Sequence, residues 1–382
     1  MESSDSDETP LSPPPPPSPS TSTSSTVTTL FSTTSGESSS SSSSGEINLT
    51  SVDIPPPLPE LPSPPPITAR ERCVGRQDKV SWGFTTVIGR RSEMEDAVAV
   101  VPAFISRTCE LSGGCTAEGS RTSADVSPVH FFAVYDGHGG SEVADFCAKR
   151  MHDVVAEELN REGMHGNEWQ KKWQEAFCNG FRRADDEVVM EAVASDMVGS
   201  TAVVAVVSGC QIILSNCGDS RAVLCKRRQT IPLSVDHKPD RADELSRIEG
   251  EGGRVINWYG ARVLGVLAMS RAIGDRYMSP YIIPVPEVTF TTRSEEDECL
   301  ILASDGLWDV MTNEKVGNVA RRVFRKIQKS EESLGDKSPA QVVAETLTQL
   351  AISLNSSDNI SVIVVDLRLR RRRLQANNDN AG

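Results

Sequence analysis

Residues 130–140 of this 382-residue chain have the sequence HFFAVYDGHGG. The part from His130 to Tyr135 gathers aromatic and β-branched residues in a short run, which is typical of a buried β-strand. Asp136 ends that run and stands directly before a glycine-rich turn. A second apolar run ends in the same way, with the sequence LASDG at residues 302–306. We therefore expect two strands that each carry an aspartate, Asp136 or Asp305, at the end.

Carboxylates also stand directly before two further predicted strands. Glu95 comes just before the apolar run Ala97–Val101, and Asp358 just before Ile360–Leu367. Carboxylates at strand ends can converge on one pocket, where they repel one another unless a cation lies among them. Oxygen ligands without nearby Cys or His favour Mg²⁺ or Mn²⁺ over zinc. A single Asp-Gly is usually an ordinary turn, so it is the recurrence that predicts a metal site.

The remaining pattern predicts one α+β domain of about 300 residues. Further strands are expected at Thr201–Val207, Ile212–Ser215, Ala222–Cys225 and Cys299–Ala303. The first three of these are close in sequence and predict an antiparallel meander. Helices are expected after a Ser141 cap, from Trp169 through Phe181, from Arg241 to Glu249, and after the capping pattern Ser338-Pro339-Ala340-Gln341.

Composition limits the classes of function. The formal net charge of −14 argues against a body that binds nucleic acid, and no run of 18 apolar residues predicts a membrane span. Nine cysteines without zinc-ligand spacing indicate reduced core residues in a soluble intracellular protein. Fifteen of the 23 prolines lie before residue 67. We expect a disordered tail at 1–70, a folded domain at 75–368 and a basic, then polar, tail at 369–382.

Eight short motifs occur in order along the predicted domain. They are RSEMED (91–96), DGHGG (136–140), GSTA (199–202), NCGDSRA (216–222), DHKP (236–239), SRAIGD (270–275), SDGLWD (304–309) and DNIS (358–361). Together they closely resemble the type 2C metal-dependent serine/threonine protein phosphatases, over roughly residues 75–368. Any one of the motifs alone would be weak evidence, but eight in the family's order are not a chance agreement.

The resemblance implies an α-β-β-α sandwich of two antiparallel sheets flanked by helices, with a two-metal site at the sheet edge. It implies two Mg²⁺ or Mn²⁺ ions, and a third, weaker ion at matching positions. The implied ligands are Asp136 bridging both ions, the Gly137 carbonyl, Asp305 and Asp358 on one ion, Glu95 on the second, and Asp309 and Asp236 for the third.

Two catalytic roles follow from the same resemblance. His138 would be the general acid that protonates the leaving serine or threonine oxygen, and Arg91 would bind phosphate oxygens. On spacing alone, His138 is more readily a surface histidine in a turn, and Arg91 beside Arg90 a solvated pair. The residues Gly199-Ser200-Thr201 and Asp219 are interpreted as mainly structural.

A narrower resemblance concerns residues 254–287 and Asp236–Arg241, which look like the plant abscisic-acid co-receptor branch of the family. In that branch a flap tryptophan reaches into the hormone-bound receptor, and Trp258 stands at the matching position. Without the resemblance, a tryptophan packed in the core is the better interpretation. Ser279 stands where this branch is expected to have lysine.

The resemblance implies a negative regulator that dephosphorylates kinases and is inhibited by soluble abscisic-acid receptors. We expect a monomer in nucleus and cytoplasm, with no nucleic-acid or membrane partner. Arg370–Arg373 could be a nuclear signal or a plain solvated terminus. The alternative is a catalytically silent module that masks kinases, although Glu95, Asp136, Asp305 and Asp358 are all acidic here. A nucleotide-binding loop is excluded, because neither GxxxxGK[ST] nor GxGxxG occurs.

Overall fold

The computed structural model describes residues 80–108, 111, 126–161, 169–329 and 337–368. The predicted tails at 1–70 and 369–382, including the arginine run from residue 370 to 373, lie outside the described residues. The domain boundaries therefore stay predictions.

Two antiparallel sheets form the centre of the described part. The first has the strand order β1-β14-β13-β7-β8, with β1 Ser81–Val87, β7 Arg221–Lys226, β8 Gln229–Pro232, β13 Asp297–Ala303 and β14 Ile360–Asp366. The second has the order β11-β4-β3-β5-β6-β12, and β2 also pairs with β3. Its strands are β2 Asp96–Thr108, β3 Val126–His138, β4 Gly199–Ser200, β5 Ala202–Val207, β6 Gln211–Cys217, β11 Ile273–Gly274 and β12 Glu287–Thr292.

Helices cover the outer face of each sheet. The helices of the described part are α1 Glu142–Asn160, α2 Trp169–Met190, α3 Ala242–Gly250, α4 Asp305–Trp308, α5 Asn313–Lys329 and α6 Pro339–Ser353. Helices α1 and α2 pack on the second sheet, and α5 and α6 on the first. Among the described residues, no helix is long and apolar enough to cross a bilayer.

Strand β3 shows why residues 131–135, directly before Asp136, do not alternate between apolar and polar positions. Phe131 and Tyr135 point to the core beneath α1 and α2, whereas Phe132 and Val134 point to the core between the sheets. A strand that is covered on both faces has to be apolar throughout. The expected α-β-β-α sandwich is confirmed.

The predicted three-strand meander is wrong in its last strand. Strands β5 and β6 pair as expected, but β7 lies in the other sheet between β13 and β8. The chain crosses between sheets at Gly218, whose φ of +110° favours glycine. A Cβ at this position would lie 2.6 Å from the Thr201 side chain. The crossing carries Asp219 to the ends of both sheets.

The two predicted helix caps differ. At α6, Ser338 Oγ accepts a hydrogen bond from the Gln341 amide at 3.0 Å, as predicted. The Gln341 side chain does not complete the capping box and binds the Phe84 backbone instead, at 3.0 Å to its N–H and 2.9 Å to its carbonyl. Strand β1 passes so close to the start of α6 that a Cβ on Gly83 would lie 2.2 Å from the Gln341 backbone. At α1, Ser141 holds the cap position but its side chain makes no capping bond, so that prediction was wrong.

Candidate active site

The register of β2 and β3 begins the assembly of the acidic cluster. Asp96 is paired with Asp136, and the Gly137 amide donates to the Glu95 carbonyl at 3.2 Å. From the other sheet, Asn359 Oδ1 accepts a hydrogen bond from the Glu95 amide at 2.7 Å. Asn359 therefore links the strand that follows Asp358 to the segment that carries Glu95.

Electrostatics shows that the aspartates lie together. Burial raises the pKa of Asp136 well above its usual range, and the negative charges of Asp96, Asp305, Asp219 and Asp358 raise it further. The pKa of Asp305 is also raised well above its usual range, by burial first and then by Asp219, Asp309 and Asp358. The structure therefore brings together Asp136, Asp305 and Asp358, which the sequence placed at separate strand ends.

The donor chemistry of this cluster fits a hard divalent cation. Buried carboxylates that raise one another's pKa are stabilised as anions when a cation binds among them. Within the described residues, however, no three His, Cys, Asp or Glu side chains form a compact set that could hold a metal by themselves. A ligand set at this place would have to include other oxygens, such as the Gly137 carbonyl and water. The ligand roles stay predictions.

Two members of the cluster were not predicted as site residues. Burial raises the pKa of Asp96 to about 6, although the nearby Ser361 and Ser304 hydroxyls act to lower it. Ser304 Oγ donates to Asp96 Oδ2 at 2.8 Å. The second is Asp219, which was interpreted as structural and is 1% exposed. Lys238 Nζ donates to Asp219 Oδ2 at 2.5 Å, and Asp219 Oδ1 has no hydrogen-bond partner among the described residues. Asp219 also raises the pKa values of Asp136 and Asp305.

His138 is held by an aspartate that the sequence analysis did not single out. Its Nε2 lies 2.9 and 2.8 Å from the two carboxylate oxygens of Asp275, which is almost fully buried. Burial lowers the pKa of His138, but the hydrogen bond and charge of Asp275 outweigh burial and leave it raised. Asp275 takes a left-handed φ of 51°. A Cβ on Gly199 would lie 2.1 Å from Asp275 Oδ2, so this glycine leaves room for the pair.

Arg91 lies at the rim of the acidic cluster. Its Nη2 donates to Asp358 Oδ2 at 2.6 Å, and its side chain is 53% exposed. The hydrogen bond that Arg91 donates to Asp358 raises the pKa of Arg91 despite partial burial, with further contributions from the charges of Glu95 and Asp305. The neighbouring Arg90 binds Asn355 instead. Arg91 is thus the one of the two arginines that faces the cluster.

The two residues expected at a third metal have different surroundings. Asp309 belongs to the cluster: burial raises its pKa, Lys238 lowers it, and Asp219 and Asp358 raise it. Asp236 is bound on both oxygens by Arg221, at 2.9 and 2.6 Å. The Arg221 guanidinium in turn lies 5.2 Å from the centre of the Trp308 ring. Both oxygens of Asp236 are engaged in this pair, whereas Asp309 faces the other acids.

Trp258 lies on an exposed hairpin, which we call the flap, formed by β9 Val255–Asn257 and β10 Ala261–Val263. Trp258 is 66% exposed, and the neighbouring Tyr259 is 96% exposed. Further apolar side chains exposed on or beside the hairpin are Ile256, Leu264 and Val266. The interpretation of Trp258 as a packed core residue is therefore wrong.

A buried carboxylate on α3 binds the segment that follows the flap in sequence. Glu244 is 1% exposed and accepts hydrogen bonds from Arg271 at 2.6 Å, Arg247 at 2.8 Å and Ser270 at 2.7 Å. Next to it, a small core packs Ile248 of α3 against Val263 of the flap. The base of the flap is thus fixed, and its tip is exposed.

Comparison with known proteins gives consistent results. The model of the family "Protein phosphatase 2C" matches residues 81–360. Probable protein phosphatase 2C 6 of Oryza sativa subsp. japonica is 52% identical over 313 residues, which cover 76% of this chain and 67% of that protein. Protein phosphatase 2C 56 of Arabidopsis thaliana is 49% identical over 331 residues, covering 80% and 74%.

Solved structures support the same fold at lower identity. A serine-threonine phosphatase 2C from Toxoplasma gondii superposes with a TM-score of 0.57 at 24% identity, covering 75% of this chain and 94% of that one. The fold, the ordered motifs and the family match agree with one another. The chain belongs to the protein phosphatase 2C family of metal-dependent serine/threonine protein phosphatases.

Proposed function

We propose that this phosphatase dephosphorylates protein kinases of abscisic-acid signalling and is inhibited by hormone-bound soluble receptors. It would act as a monomeric negative regulator in nucleus and cytoplasm. The observation that carries the proposal is the exposed Trp258 on an apolar hairpin with a fixed base. Exposed aromatic side chains with apolar neighbours are typical anchors of protein interfaces. The resemblance of residues 254–287 to the co-receptor branch supports the nature of the partner.

The proposed metal ligands are Asp136, the Gly137 carbonyl, Asp305 and Asp358, with Glu95 on a second ion and Asp309, with Asp236, near a weaker third. When bound, Mg²⁺ or Mn²⁺ offsets the negative charge of the phosphoryl group and lowers the pKa of water. Asp96 and Asp219 would add negative charge behind these ligands. The hydrogen bonds from Ser304 and Lys238 hold these two carboxylates in place.

The chain's own side chains would orient the substrate and move one proton. Arg91 presents the solvent-facing part of its guanidinium at the rim, where it can bind two phosphate oxygens. The Asp275 carboxylate stabilises the protonated form of His138. A protonated imidazole can donate to the leaving serine or threonine oxygen, which is a poor leaving group without a proton.

The receptor hypothesis is tested by removing the flap tryptophan. Trp258→Ala should keep near-normal turnover of a phosphothreonine peptide, because the flap tip supplies no group to the acidic cluster. Inhibition by receptor plus abscisic acid should weaken by about 30-fold or more, as a buried interface aromatic contributes at least ~2 kcal/mol. Met190→Ala is the matched control, since Met190 is 75% exposed at the end of α2.

Each outcome of this experiment is informative. Inhibition that persists in Trp258→Ala would place the receptor elsewhere and reject the flap as its contact. The catalytically silent alternative is rejected if the parent protein hydrolyses the peptide with Mg²⁺ and stops with excess chelator. Hydrolysis that continues in chelator would contradict the metal-dependent mechanism.

A further inference from the structure

Two buried cysteines lie opposite each other in the first sheet. Cys225 of β7 is the register partner of Cys299 of β13. Both are fully buried and belong to the core beneath α5 and α6, so their side chains point to the same face. Opposite residues in antiparallel strands have Cα atoms about 4.5 or 5.5 Å apart. A disulfide needs about 4.4–6.8 Å, so the backbone already meets this requirement.

The two thiols have unequal surroundings. The pKa of Cys225 is lowered, first by the hydrogen bond from the Cys299 thiol. Burial raises this pKa, whereas the nearby Arg321 and Thr230 lower it, and the lowering effects are larger. Arg321 is buried and donates to Thr230 Oγ1 at 3.2 Å. Thr230 of β8 is the register partner of Cys225 of β7. The hydrogen bond to Cys225 raises the pKa of Cys299. Cys225 is therefore the better nucleophile.

Two other buried cysteines, Cys147 and Cys217, have different surroundings. Burial raises the pKa of Cys147 and of Cys217, and no thiol hydrogen bond lowers either of them. Cys225 is also close to the sheet edge, because β8 is the last strand of its sheet and is only partly buried. A small oxidant thus has a short path to Cys225 when β8 opens locally.

We propose that Cys225 and Cys299 are a modification site for peroxide and close to a disulfide between β7 and β13. The Cys225 thiol loses its proton, the thiolate attacks one peroxide oxygen and the O–O bond breaks, which gives a sulfenic acid. The leaving hydroxide takes up the proton from the thiol and forms one water. Cys299 sulfur then attacks the sulfenic sulfur, the S–O bond breaks, and the thiol proton leaves with the hydroxyl as a second water. Two thiols are oxidised, and one hydrogen peroxide is reduced to two waters.

The bond would join strands that are separated in sequence by residues 226–298. A cross-link over a loop of this length restricts the unfolded chain strongly. The melting temperature of the oxidised protein should therefore rise by several degrees, and a dithiol reductant should reverse the rise.

Peptide mapping of the full chain tests the proposal directly. Protein treated with hydrogen peroxide is unfolded in a denaturant that contains an alkylating reagent, which caps the free thiols. It is then digested with trypsin without reduction. The two cysteines fall in separate peptides, Ala222–Lys226 and Ser294–Lys315, each with one cysteine. We expect these two peptides to be found joined, at the mass of a disulfide, and to separate with dithiothreitol. Finding both peptides alkylated after treatment would overturn the proposal.

Variants provide matched controls. Cys178→Ala removes a partly exposed thiol of α2 and should leave the joined peptide and the rise in melting temperature unchanged. Cys225→Ala and Cys299→Ala should lose both. If a variant fails to fold, the alkylation state of the parent still decides the result. A rise in melting temperature that persists in a folded Cys225→Ala would assign the stabilisation to another pair and reject this one.

Discussion

The acidic cluster and the flap are built in opposite ways. The cluster lies where buried strands of both sheets end, and its carboxylates are held by register, by Ser304 and by Lys238. The flap is a short hairpin whose tip, with Trp258 and Tyr259, is exposed. Rigid strand ends suit groups that must be positioned for chemistry, whereas exposed apolar side chains suit recognition. The comparison indicates that chemistry and recognition can be changed separately.

The largest expected effect is at the cluster. Asp136→Asn should lower turnover of a phosphothreonine peptide by about 1,000-fold, or ~4 kcal/mol, because it removes the charge most surrounded by other acids. Steady-state kinetics at saturating Mg²⁺ measures this. Asp153→Asn, an exposed acid of α1, is the control and should match the parent. A loss below about tenfold for Asp136→Asn would contradict a central role in metal binding.

A large effect on stability is expected at Glu244 of α3. Glu244→Gln leaves three buried or half-buried donors, from Arg271, Arg247 and Ser270, without their anionic acceptor. Breaking such a buried pair should cost about 3 kcal/mol in the free energy of unfolding. Chemical denaturation measures it, with Glu249→Gln on the exposed side of the same helix as control. Equal stabilities would show that the Glu244 carboxylate does not hold this part of the fold together.

The same carboxylate predicts a pH dependence. Burial raises the pKa of Glu244, but hydrogen bonds from Arg271, Arg247 and Ser270 outweigh it and lower the pKa to about 2. A lowered folded-state pKa stabilises the fold fully above the unfolded value of about 4.3, and the stabilisation is lost as pH falls toward 2. The stability difference between parent and Glu244→Gln should therefore shrink below about pH 4. A difference that stays constant would reject this linkage.

A smaller, substrate-dependent effect is expected at His138. His138→Ala should slow a phosphothreonine peptide by about 100-fold, because the leaving oxygen then has no proton donor. Hydrolysis of an aryl phosphate, whose phenolate leaves without a proton, should change by less than about threefold. The ratio of the two rates measures the effect, and the melting temperature checks the fold. Equal losses on both substrates would assign a structural role to His138.

The smallest effect is expected at the flap tip. Trp258→Ala should change the free energy of unfolding by no more than about 0.5 kcal/mol, since the side chain is mostly exposed. Thermal and chemical denaturation measure it, alongside Tyr259→Ala. A cost above about 2 kcal/mol would show that Trp258 packs against the body of the domain.

The sequence predicted the strands that are covered on both faces, since their apolar runs have no other explanation. It missed β1 and β12, whose threonines and partly exposed positions give a weak pattern. The length of the turn at Gly218 could not show that β7 changes sheet, because that depends on long-range pairing with β13. The sheet that a strand joins is decided by distant partners and cannot be read from the local pattern.

The same limit applies to the candidate site. Glu95 and Asp96 are neighbours in sequence, and only the register with Asp136 shows that Asp96 belongs to the cluster. Asp275 reaches His138 from a distant segment through a left-handed turn, which no local spacing reveals. Asp219 was interpreted as structural because its motif is also a turn. Ordered motifs supplied the main site residues, but not their supporting partners.

The side chain of Gln341 has a consequence for solubility. Strand β1 is the last strand of its sheet, and such a strand can pair with another chain and start aggregation. Gln341 binds both the N–H and the carbonyl of Phe84, as a residue of a neighbouring strand would. The helix start also lies too close to Gly83 to admit another strand there. The Gln341 side chain thus protects this edge of the sheet from β-pairing with another chain.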